Sequence, residues 1–221
     1  MDTFLYLFYS AAYIALFIWS LNASPKAHLR SLNSFLYLVL AGLIFDNTVV
    51  AAGKFIGEGS FLEALNQLRY WIHAMITPTL VLFSLGILRT AGLRGINNTF
   101  SFYIAVVFTS TLIILEMVTE VFGLELKASW EYGVLRYIPV ETSGGPPLMI
   151  LLVTLVLIIS GIILWKYTNW PWMFIGALIM TLGSAVPIPI NSSAITNGFE
   201  LLLAISLVMT KIHQEKSENA P

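Results

Sequence analysis

The stretch LRYWIHAMITP, residues 68 to 78, decides how this chain is read. It opens a long apolar segment, yet it carries Arg69, His73 and a helix-bending Pro78. Arg69, His73 and Thr77 recur at i, i+4 and i+8, so in a helix they form one polar stripe on a greasy rod. A charge facing lipid costs at least about 2.5 kcal/mol even on lenient insertion scales. If this segment crosses a membrane, its stripe must face protein, and other helices must supply the partners.

The surroundings say that it does cross. Of 221 residues, 57% are hydrophobic and 10% are charged, whereas a soluble domain is about a quarter charged. The charges cluster, which leaves apolar stretches of about 20 residues, each long enough for a hydrocarbon core of roughly 30 Å. The expected fold class is all-α, a polytopic seven-transmembrane-helix bundle. Its spans fall near 3–21, 32–53, 68–88, 100–122, 147–165, 171–187 and 195–212, in one domain covering 1–212. A polar cytoplasmic tail, 213–221, is expected to be frayed. The first stretch follows Met1-Asp2 with no basic n-region, so it reads as a retained span and not a cleaved signal peptide. A net charge of -1 argues against a nucleic-acid partner, and the lack of cysteine excludes disulfides, thiolate nucleophiles and thiolate metal sites.

Lys and Arg orient the spans. Seven fall on one side (Lys26, Arg30, Arg89, Arg94, Lys166, Lys211, Lys216) and four on the other (Lys54, Arg69, Lys127, Arg136). The first side is therefore read as cytoplasmic, with the N-terminus outside and the C-terminus inside, and the plasma membrane as the expected location. Trp165, Trp170 and Trp172 mark the inner boundary, and Trp71 and Trp130 the outer one.

Local signals refine this picture. Ser60-Phe-Leu-Glu63 reads as a capping box that starts the third helix near residue 61. Pro78 predicts a kink, because it removes a backbone donor and crowds the carbonyl of Ala74. The long outer connection alternates apolar and polar residues from Leu124 to Tyr132, which fits either a short hairpin turning near Gly133 that roofs the cavity or an interfacial loop lying in the headgroups. Pro139 and the Gly144-Gly145-Pro146-Pro147 run lead into the fifth span, and VPIPIN (186–191) ends the sixth at the outer face.

The polar residues within spans share a depth. Asp46 is about 15 residues from the inner edge, roughly 22 Å up. Glu116 and Glu120 lie similarly far along an outward-running span, while Arg69, His73, Asn197 and Glu200 lie in the first turns of inward-running ones. Four helices thus deliver ionisable groups to the outer third. The candidate catalytic residues are Asp46, His73, Glu116, Glu120 and Glu200. The candidate substrate-binding residues are Asn47, Arg69, Thr77, Asn197, Trp71 and Trp130. A pair such as Asp46–Arg69 or Glu120–Arg69 would also serve as a staple fixing helix register. Four acids against one fixed cation exceed what a staple needs, and leave a carboxyl protonated or awaiting an external cation.

Several chemistries are disfavoured. A retinal-type Schiff base needs a deep lysine, and Lys211 sits at the cytoplasmic end. Zinc hydrolases of membranes need several histidines, but His28 and His213 are cytoplasmic. Asp-rich diphosphate motifs, phosphate loops and a Ser-His-Asp set are absent. A carboxylate metal site at Asp46, His73, Glu116 and Glu120 lacks the Glu-x-x-His spacing of di-iron bundles, so no metal or cofactor is expected. The leading reading is an intramembrane enzyme doing acid–base chemistry on a membrane lipid, isoprenoid or other hydrophobic small molecule, a lyase, isomerase or cyclase. The alternatives are a small transporter or channel for a proton, cation or small solute, and a non-catalytic sensor or complex subunit, for which Gly161 and Gly176 would support contacts. In size, span count and an acid on both the second and seventh spans, the chain resembles the small seven-helix membrane terpene cyclases. That resemblance is architectural, shares no run of residues, and carries no residue roles across.

Overall fold

The computed structural model describes residues 2–25, 30–140, 148–185, 192 and 194–218, apart from the side chains of residues 94 and 185. The chain is mostly helical: α1 (Asp2–Ala23), α2 (Phe35–Ile56), α3 (Ser60–Ile76), α4 (Leu80–Thr90), α5 (Thr99–Glu116), α6 (Leu148–Thr168), α7 (Trp172–Ala185) and α8 (Ala194–Glu218), with a hairpin of β1 (Leu126–Glu131) and β2 (Val134–Pro139) between α5 and α6. Six segments are long and apolar enough to cross a membrane, Ser60–Thr90 counting as one. They mark a multi-pass integral membrane protein. The expected sixth span is α7, whose 14 residues cover about 21 Å, less than the hydrocarbon thickness. Residues 186–191, including VPIPIN, lie outside the described residues, as do Lys26, His28 and the Gly-Gly-Pro-Pro run.

Pro78 acts as expected. α3 gives way to a 3-10 turn at Thr77–Thr79 before α4 resumes, and the Thr79 hydroxyl donates to the Ile76 carbonyl at 2.6 Å, covering an acceptor freed by the break. The capping box does not form. Ser60 is already the first helical residue, Gly59 occupies the cap, and no side chain caps the turn. Instead the Glu63 amide donates to the Gly59 carbonyl, since Gly59 has a φ of 157° and brings its own backbone into line.

α4 is the axis of the fold. All nine residues from Leu80 to Leu88 are buried, the pattern of a helix that is apolar all round and surrounded on every side. It packs against α2, α5, α6 and α8, while α1 lies on α2 and α8, and α7 lies between α6 and α8. The α1 sequence sorts by face: Tyr6, Tyr9 and Tyr13 are buried and Phe4 and Phe8 exposed, so the hydroxyl-bearing rings face inward. Tyr9 donates to the Ala194 carbonyl at 2.9 Å, tying α1 to the start of α8. Gly161 and Gly176, expected as assembly contacts, serve inside the chain. A Cβ at Gly161 would meet the Phe174 backbone, and one at Gly176 would meet Ser206.

The hairpin forms where alternation predicted it, with Tyr132 and Gly133 at φ 48° and 82°. Two positive φ values in a two-residue loop are those of a type I′ turn. The strands clasp one end of the helices. The Asp2 amide and Thr3 hydroxyl donate to the Tyr132 and Gly133 carbonyls, and the Gly59 amide donates to the Tyr137 hydroxyl. Val49, Leu62, Leu135 and Tyr137 form a small apolar core of their own.

The α8 helix runs to Glu218, through most of the segment read as a frayed tail, and Gln214 and Glu215 are buried. These residues belong to the helical core.

Gly161→Ala will destabilise the chain by about 1–3 kcal/mol, the usual cost of overpacking, because backbone blocks the new methyl. Gly95→Ala, with open space around it, will be near neutral. Thermal unfolding of both variants in detergent checks this.

Candidate functional site

A cavity of about 320 Å³ opens between α2, α3, α5, α6 and α8. Its polar lining is Asp46 from α2, Arg69, Tyr70 and His73 from α3, Glu116 and Glu120 from α5 and its extension, and Asn197 and Glu200 from α8. Leu43 and Ile150 complete it. Asp46 stands ten residues before the end of α2, at Ile56, and Arg69 nine residues after the start of α3, at Ser60. Antiparallel neighbours entered to equal depths bring these two level, about 14–15 Å from the α2–α3 turn.

One ion pair organises the wall. Arg69 Nε donates to Asp46 Oδ1 at 2.8 Å, and Nη1 donates to Asn66 Oδ1 at 2.7 Å. Asn66 stands at i−3 and in turn donates to the Leu62 carbonyl, so the guanidinium is held by its own helix and by α2. The side chains are 12% and 27% exposed for Arg69 and Asp46, both toward the cavity.

The acids beyond this pair are differently placed. Glu116 is 8% exposed. Among the described residues, no hydrogen bond reaches the side chains of Glu116, Glu200 or His73. Just past Glu116 the helix widens to a π turn, Met117–Val121, closed by the Phe122 amide donating to the Met117 carbonyl. Such turns insert a residue, redirect the face that follows, and recur at functional sites. Here the turn carries Glu120 to the same cavity as Glu116. No three His, Asp or Glu side chains among the described residues are arranged to hold a metal ion.

The cavity continues into apolar space. His73, Glu200, Leu43 and Ile150 also line a narrow slot of about 60 Å³, whose other walls include Thr77, Leu36, Leu40, Val153, Leu157, Leu203 and Leu207. Leu43 to Leu36, or Glu200 to Leu207, is seven helical residues, so the slot reaches about 10 Å toward the other end of the helices.

Thr77 therefore belongs to the slot, and three expected residues line neither space. Asn47 is fully buried and donates to the Leu43 carbonyl of its own helix; one residue from Asp46 is 100° around the helix, another face. Trp71 packs edge-on against Phe122, ring centroids 5.6 Å apart. Trp130, 58% exposed on β1, donates to Glu58. Nor does the hairpin roof the cavity: none of its residues lines it. Tyr70 and Asn66 were missed. Both stand three residues from a member of the Arg69–His73 stripe, and i, i+3 spacing was the available signal.

A second ionic cluster was missed entirely. Lys211, read as a boundary charge, is 0% exposed. It donates to Ser24 Oγ at 2.6 Å, the Tyr37 hydroxyl at 3.0 Å and Glu215 Oε2 at 2.9 Å. The other Glu215 oxygen accepts from Asn33 at 3.0 Å, and Asn33 reaches Thr90 at 3.1 Å. Lysine has three protons and all three are used. This cluster is a closed staple joining α1, α2, α4 and α8, whereas the cavity keeps acids in excess.

Comparison with protein-family models, with curated proteins and with solved structures finds no match for this chain.

The contrast is testable by unfolding. Lys211→Met will cost about 3–5 kcal/mol by stranding Glu215, and the double variant with Glu215→Leu will recover most of it. Glu116→Gln, which breaks no bond, will change stability by less than about 1 kcal/mol.

Proposed function

We propose that this chain is a seven-span plasma-membrane protein, N-terminus outside and C-terminus cytoplasmic, that takes a lipid or isoprenoid into its outer cavity and acts on it by acid–base chemistry. The observation that carries the reading is the union of two spaces: a polar cavity holding acids beyond its ion pair, and an apolar slot that begins at two of the same residues, His73 and Glu200. An amphiphile fits such a pair of spaces, head above and chain below.

The roles follow from the contacts. Arg69, fixed by Asp46 and Asn66, keeps Nη2 for a polar head, as does the Asn197 amide. Glu116, Glu120 and Glu200 supply carboxyls that act as acid when protonated and base when ionised. His73 stands at the junction of cavity and slot, where it relays or orients. Asp46 holds the guanidinium and balances its charge.

Transport of a proton, cation or small solute has less support. A path would have to continue past α4, whose buried run Leu80–Leu88 offers one hydroxyl, Ser84, and past the closed Lys211 cluster. A subunit role has less support as well, since Gly161 and Gly176 are engaged within the chain.

Two measurements test the proposal. A lipid extract of the purified protein, read by mass spectrometry, will contain one amphiphile at near-stoichiometric amount. Glu200→Gln and His73→Asn will fold, and will lose turnover of that compound by at least about a hundredfold, the size of a general acid–base contribution. Absence of any enriched amphiphile overturns the reading. The orientation has its own check, simplified by the lack of native cysteine: an impermeant thiol reagent will label Lys127→Cys on intact cells, and Asn98→Cys only after lysis.

A further inference from the structure

The charge that the cavity favours in a ligand is readable from its wall. Six ionisable side chains other than tyrosine line it: Asp46, Arg69, His73, Glu116, Glu120 and Glu200. The single fixed cation has two of its three nitrogens engaged, Nε by Asp46 and Nη1 by Asn66. Against it stand four carboxyls on three helices. Glu116 is the decisive one. It lines the cavity, is 8% exposed, and has no hydrogen bond among the described residues. Enclosed on its other sides and without a protein partner, this carboxyl is left to whatever occupies the cavity.

We propose that the ligand is an amphiphile with an organic cation as its head, an amine in the simplest case, seated between Glu116 and Glu200 with its chain in the slot below. This rests on the reading that cavity and slot together hold an amphiphile. An anionic head would meet the carboxyls of Glu116 and Glu200 and find one guanidinium nitrogen, Nη2 of Arg69, to set against them. A cavity of about 320 Å³ takes a head of several heavy atoms, since one water needs only about 10–15 Å³. Tyr70, on the same wall, adds a ring face to which a cation is attracted. In a membrane or micelle the chain gains little on entering the slot, because lipid tails are as apolar as leucine. Discrimination therefore falls on the head.

The experiment uses the full chain in detergent and three probes of one chain length, matched to the slot: octylamine, octanol and octanoate. Equilibrium binding of labelled octylamine, with the other two as competitors, gives relative affinities. The amine is expected to bind at least ~10-fold more tightly than the alcohol, about 1.4 kcal/mol, and octanoate more weakly than either. Glu116→Gln is expected to weaken the amine ~10-fold and to leave the alcohol unchanged. If octanol or octanoate equals the amine, the cationic head is overturned while the amphiphile reading stands. If none of the three binds, both are overturned. Should Glu116→Gln fail to fold, the ranking of the three heads on the unaltered protein decides alone.

Discussion

A guanidinium in hydrocarbon has to be paired, and the pairing of Arg69 with Asp46 is what the polar half of this chain is built around. The pair joins α2 to α3 at one level and fixes their register. It also points the rest of the α3 stripe, His73 and then Thr77, into the space between the helices. Once that stripe faces inward, the carboxyls of α5 and α8 have somewhere to go other than lipid. The cavity follows from a single electrostatic requirement met at one point.

The two ionic clusters show how differently the same residue types are used. Around Lys211 all three ammonium protons have acceptors, both Glu215 oxygens accept, and residues of four helices or their ends are tied together. Such a cluster fixes geometry and has nothing left over for a ligand. Around Arg69 the bookkeeping does not close: Glu116 and Glu200 have cavity where a partner would be. Surplus, and not burial alone, separates a site from a staple. The slot beneath gives the surplus a direction, because it shares His73 and Glu200 with the cavity and leads away from the charges.

Much of this was legible in the residues. The 69–73–77 stripe, the i, i+4 acids on α5 and the acid on α8 are patterns of helical spacing, and helical spacing survives folding. Pro78 and the Gly133 turn were readable because proline and glycine constrain the backbone wherever they stand. What escaped had no such local mark. Nothing within five residues of Lys211 says that Ser24 and Tyr37, more than 170 positions away, will close around it, so a burying tertiary contact was read as an exposed boundary charge. Ser60 and Glu63 had the spacing of a capping box, but Gly59 let the helix begin one residue earlier and the motif lost its register. Trp71 and Trp130 were assigned to the site by depth: Trp71 is near the level of Arg69 on another face of α3, and Trp130 is on the hairpin, bonded to Glu58 in the α2–α3 turn.

The order of the chain gives α8 a consequence beyond its packing. It is the last described helix to be made, yet it contributes Glu200 to one cluster and Lys211 with Glu215 to the other. Helices α1 to α7 must therefore wait in the bilayer with Arg69 already matched by Asp46 but with neither cluster finished. Vectorial synthesis completes both with one insertion, so a nascent chain halted before residue 194 would lack one wall of the cavity and the whole of the Lys211 clasp.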